Sequence, residues 1–227
     1  MPVAHSPLLL SVLVLGLGCT VEKARDSGTV ARCGGDAAPQ TIEEAVEVIN
    51  TLPAPVDGPC FVRSLARPLV VVASSSIVSA QPAVGEARPR LFIQSGPLMM
   101  TLVPAGTGAN LLEFGELYVD DLTRKGELVL PVEAPLALDA PFTRVAHETY
   151  GSTCAVCHRR QDAHPDGGTV SEAIRPEGWY DVPLDDLAHE AARCEGQGCA
   201  LLEAVFEDEV VPGSFPEHWP TVRDLVR

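Results

Sequence analysis

The run Cys154-Ala155-Val156-Cys157-His158 concentrates the chemistry of this 227-residue chain. Two thiols three positions apart in a helical turn can each add to one vinyl group of a porphyrin. The imidazole that follows is then held beneath the iron as its proximal ligand. The expected cofactor is a covalent haem c, with Cys154 and Cys157 as thioether attachment points and His158 as the iron ligand. Two other chemistries use the same residues. A thioredoxin-type redox disulfide opens a helix after a β-strand, and the mixed polar run from Arg144 to Tyr150 does not read as that strand. Structural zinc would draw on Cys154, Cys157, Cys194 and Cys199 as a tetrahedral set built from two short chelating pairs.

The compartment bears on that choice. Residues 1–18 hold a short apolar core, Leu8 to Leu17, which is too short to span a membrane and has the length of a signal-peptide core. Gly18-Cys19 follows and looks like a bacterial lipoprotein cleavage site, which implies lipidation of Cys19 and a membrane anchor; plain secretion stays open. The expected location is exported, either periplasmic or membrane-anchored. With Cys19 lipidated and Cys154 and Cys157 on haem, Cys33, Cys60, Cys194 and Cys199 remain, an even number suited to two disulfides in an oxidising compartment. Sequence proximity pairs Cys33 with Cys60 and Cys194 with Cys199, although four cysteines allow three connectivities.

Composition narrows the partners. The chain carries 31 Asp and Glu against 16 Lys and Arg, a formal charge of −15, so no basic surface for nucleic acid is expected. The same balance favours a basic partner protein through long-range steering. No Ser-His-Asp, paired-carboxylate or zinc-hydrolase signature is evident, which favours a redox carrier over an enzyme.

The positioning elements follow from periodicity. Residues 19–40 are rich in Gly and polar side chains and read as a tether. Thr41 to Asn50 places Ile42, Ala45, Val46 and Ile49 on one face behind a Thr N-cap with Glu44 three residues on, a short amphipathic helix. Leu69 to Val78, Arg90 to Gln94, Leu98 to Val103, Leu111 to Val119 and Glu127 to Val132 read as antiparallel strands. Residues 41–140 are thus expected to form a β-sandwich-like domain. Residues 141–227 are expected to form a second, small and mainly helical unit, with helices at Leu184 to Cys194 and Ala200 to Phe206. The expected class is α+β.

On Cys154, Cys157 and His158, with Tyr150 just upstream, the segment 146–227 resembles a monohaem c-type cytochrome domain. The resemblance implies electron transfer by one haem and a redox partner protein. In that family a Met just before a Pro near the end of the domain supplies the distal ligand. Here the segment is Phe215-Pro216-Glu217-His218-Trp219-Pro220, with Trp219 in the place of the Met, and His218 is the distal ligand suggested by analogy. His147, His164, His189, Met99 and Met100 are further choices, and Arg159, Arg160 and Arg175 could pair with propionates. The alternative from another class is a non-catalytic binding or structural lipoprotein whose C-x-x-C-H and C-x4-C cysteines hold zinc or disulfides.

Overall fold

Thr41 starts the first helix where the spacing predicts. Its hydroxyl accepts a hydrogen bond from the Glu44 backbone N–H at 3.1 Å, while the Glu44 carboxylate takes the Gln40 N–H at 2.6 Å. These bonds satisfy donors that a helix start otherwise leaves open. The computed structural model describes residues 33–75, 81, 83, 88–196 and 198–225. Cys19 and the expected signal segment lie outside the described residues, as do most of the expected tether and the end of the first expected strand. Helix α1 spans Ile42–Thr51 and buries Ile42, Ala45, Val46 and Ile49, the four residues that its periodicity singles out. Helix α2 spans Gly58–Arg63, capped by Asp57, whose carboxylate accepts from the Cys60 N–H at 2.8 Å. A disulfide joins Cys60 to Cys33 across 27 residues of sequence.

The strands are β1 (Leu69–Ser74), β2 (Arg90–Ser95), β3 (Leu98–Leu102), β4 (Leu111–Val119), β5 (Leu122–Val129), β6 (Ala146–His147), β7 (Gly151–Ser152), β8 (Asp162–Ala163), β9 (Thr169–Glu172) and β10 (Val210–Pro212). Eight of them form one sheet in the order β10-β1-β2-β3-β4-β5-β9-β8; β6 and β7 make a separate two-stranded ribbon. The centre, β1 to β5, is an antiparallel meander with two-residue turns joining β2 to β3 and β4 to β5, and β10 joins β1 in parallel.

Side chains alternate across a strand, so the register sorts them into two faces. The first face carries Val71, Ala73, Leu91, Ile93, Met100, Leu102, Leu112, Phe114 and Leu128, all buried. With them cluster α1, α2, helix α3 (Ala140–Val145), helix α4 (Leu184–Arg193) and helix α5 (Cys199–Phe206), through residues such as Phe61, Phe142, Leu187 and Leu202. The second face is mixed: Phe92, Thr101, Glu113, Gly115, Thr123, Lys125, Thr169 and Ser171. After β10 the chain crosses this face as a strap. Phe215 meets Phe92 edge-on at 5.0 Å, and Trp219 is buried.

The α+β class holds, but the β-rich part is not a sandwich. Helices rather than a second large sheet cover the apolar face, and β8, β9 and β10, all from beyond residue 140, extend the same sheet as the meander. The segment 141–227 is therefore not a separate, mainly helical unit. No helix among the described residues is long and apolar enough to cross a membrane.

Candidate functional site

Cys154 sits in a single turn of 3-10 helix, Thr153–Val156, that follows β7, and Cys157 caps its C-terminal end. The Cys154 carbonyl accepts from the Cys157 N–H at 3.1 Å and from the His158 N–H at 2.8 Å, which closes the turn. Ser152 braces it from below: its hydroxyl donates to Gln161 at 2.7 Å, and the Gln161 amide donates to the His158 carbonyl at 3.0 Å. Beyond His158 the chain runs beside β9, where the Glu172 N–H donates to the Arg159 carbonyl at 3.0 Å. Arg160 takes a left-handed backbone conformation there, with φ 54°, and reaches Asp121 and Asp162 at 3.9 Å each.

The turn lies over the polar second face of the sheet. Cys154 is half-buried, and burial raises its pKa; Lys125 and a hydrogen bond with Ser152 oppose the rise. Cys157 is exposed. Lys125 is buried on β5, and loss of hydration lowers its pKa to about 8, with Cys154 and Glu113 pulling it back up and Arg90 pushing it further down. Glu113 is itself held by an ion pair with Arg90. The Thr123 and Ser171 hydroxyls, cross-strand neighbours beside Lys125, are buried without a hydrogen-bond partner. Such groups mark places where a protein keeps polarity despite its cost.

His158 turns inward. Its Nδ1 lies 2.7 Å from the Glu172 carbonyl oxygen, so that nitrogen carries the proton and donates. Burial, then the positive charges of Lys125 and Arg90, push its pKa down to about 3 against this hydrogen bond. The unfolded chain has an ordinary imidazole titrating near about 6.5. With the folded value depressed, the neutral ring's contribution to stability is complete above about pH 6.5 and is lost progressively toward about pH 3 as the unfolded state takes up the proton. The urea unfolding midpoint is expected to fall across that window, and His158→Asn, which keeps a donor for Glu172, is expected to flatten the fall. An unchanged slope in the variant would contradict the assignment.

These neighbours correct the cofactor expectation. The motif straddles the end of a single 3-10 turn rather than opening an α-helix, and the imidazole feels the positive charge of the buried Lys125. Among the described residues no three His, Cys, Asp or Glu side chains are grouped to hold a metal. Haem c is therefore not supported, and each histidine weighed as a distal ligand is engaged elsewhere. The His218 ring is exposed and hydrogen-bonds the Asp120 carbonyl at 3.3 Å, next to the Trp219 indole N–H on the same oxygen. His164 packs on Tyr118, His147 stacks on Tyr150, and His189 bonds the Asp185 carbonyl of its own helix. Met100 lies in the helix-facing core, and Met99 is on the opposite face. Arg175 is occupied by the Trp219 carbonyl at 2.9 Å. Zinc fails for a simpler reason: Cys194 and Cys199 are bonded to each other, so the four-thiol set is broken.

Two of the sequence-singled cysteines therefore stay together as thiols, and four are bridged in the pairs that proximity suggested. Lys125, Glu113 and Arg90 escaped notice in the sequence, since charged residues on strands ordinarily face water. No local signal marks them: Leu122-Thr123-Arg124-Lys125-Gly126 carries three consecutive polar residues and no period-2 alternation. Comparison of the chain with protein-family models, with curated proteins and with solved structures gives no match.

Proposed function

We propose that this is an exported protein stapled by disulfides, in which Cys154 and Cys157 form a reversible dithiol–disulfide couple that tightens or loosens the turn over the sheet. The observation that carries the reading is the closed turn itself. Residues i and i+3 of such a turn have Cα atoms less than about 7 Å apart, and disulfides span Cα separations of about 4.4–6.8 Å. Backbone geometry thus meets the Cα spacing that a bridge needs, and both cysteines carry free thiols. Two further disulfides support an oxidising compartment, where a neighbouring dithiol is exposed to oxidation. The acidic balance of the chain favours a basic partner.

Equilibration of the native protein in glutathione buffers of graded potential, followed by alkylation and mass measurement, tests the couple. The expected result is a reversible step in which two alkylatable cysteines disappear together and peptide mapping places the new bridge between Cys154 and Cys157. Two cysteines alkylated at every potential would sink the reading, as would a pair that bonds only between molecules.

A further inference from the structure

We propose that the couple is polarised: Cys157 receives the incoming disulfide, Cys154 resolves it, and Lys125 is the positioning residue that stabilises the resolving sulfur, with an accessible aliphatic disulfide as the substrate. This rests on the reading of Cys154 and Cys157 as a redox couple.

Access decides the first half. Thiol exchange needs the attacking sulfur to approach a disulfide along its S–S axis, so an enclosed thiol is a poor first contact. Cys157 is exposed and Cys154 is half-buried against the sheet. Beside Cys157, Val156 stands 88 % exposed, an apolar side chain that a partner's disulfide can pack against.

Charge placement decides the second half. Lys125 is buried on β5 directly opposite Thr169, whose hydroxyl donates to the Gly151 carbonyl on the strand leading into the turn, so the ammonium lies beneath the segment that carries Cys154. Glu113, an acid that it feels, is engaged by Arg90. A buried ammonium whose neighbouring carboxylate is already paired gains most from a thiolate formed at Cys154.

The reaction balances as follows. The Cys157 thiolate attacks one sulfur of R–S–S–R′, the Cys157–S–S–R bond forms and R′–S⁻ leaves. The Cys154 thiolate then attacks the Cys157 sulfur, the bond to R breaks, and R–S⁻ leaves. Two electrons pass from the dithiol to the substrate, and the two thiol protons end on the R and R′ sulfurs.

Single-cysteine variants of the full chain test the order of attack. Oxidised glutathione and a reduced-stability polypeptide carrying one exposed disulfide serve as two arms that separate a small-molecule from a protein substrate. Cys154→Ser, which retains Cys157, is expected to form the mixed disulfide at least about ten-fold faster than Cys157→Ser. Equal rates, or a faster Cys154, would overturn the polarity. In the otherwise intact chain, Lys125→Met is expected to slow the resolving step, release of R–S⁻ from the Cys157 mixed disulfide, about ten-fold at neutral pH, with Lys125→Arg restoring it. A resolving rate unchanged by Lys125→Met would remove Lys125 from the scheme. If Lys125→Met does not fold, the rate comparison still decides the polarity, and Lys125→Arg alone must then hold the wild-type resolving rate. Failure of the native protein to form the Cys154–Cys157 bridge at any potential would instead defeat the underlying reading.

Discussion

Phe61→Ala is expected to lower the unfolding free energy by about 3–5 kcal/mol. Phe61 has no exposed surface and lies on α2, among the side chains that join the helices to the apolar face of the sheet. Truncation removes transfer free energy and also leaves a cavity, whose cost depends on how far the surroundings can collapse. Collapse is resisted here. Cys60, the preceding residue, is tied to Cys33, and Asp57 pins the start of the same short helix. Equilibrium urea unfolding checks this, with an unchanged denaturant slope as the sign that only stability moved. A loss below about 1 kcal/mol would mean that the α2 site repacks freely.

Removal of the Cys33–Cys60 bridge by a double Ser substitution is expected to cost about 3–4 kcal/mol, because closing a loop of this length restrains the unfolded chain strongly. Both cysteines are buried, so the serine hydroxyls add a desolvation cost in the same direction. The Cys194–Cys199 bridge spans only 5 residues of sequence, and its removal is expected to cost about 2 kcal/mol. The order of the two losses, read from thermal and urea unfolding of both variants, is the measurement. A larger loss at Cys194–Cys199 would place the main restraint at the α4–α5 turn instead.

What the sequence made legible was local. The α1 helix follows from a cap, an acidic third residue and an apolar stripe, all within ten residues, and the structure places each as read. The first four strands are likewise visible as short apolar or alternating runs. The spacing predicts the fifth strand at Glu127 to Val132, and it lies instead at Leu122–Val129. Its first half is Thr123, Arg124 and Lys125, polar residues that are nevertheless buried. Arg124 lies inside because distant elements supply it with Glu43 at 2.7 Å and the Phe142 ring at 3.8 Å. No window along the chain contains those partners. The same reasoning covers the candidate site. The C-x-x-C-H spacing was visible, but its chemistry depends on whether the following segment offers a second ligand or a sheet edge, and here it runs beside β9.

The sheet ends in short strands at both sides. β10 has three residues and stops at Pro212, which has no N–H to donate, and β8 has two residues, one of them Asp162. An eight-stranded sheet with long bare margins would invite another molecule to add its own strand and grow toward fibrils. These margins offer too few free backbone groups for that, and the acidic charge repels like copies. Concentrated samples of the folded chain are therefore protected from edge-to-edge polymerisation by the same late segments that complete the sheet.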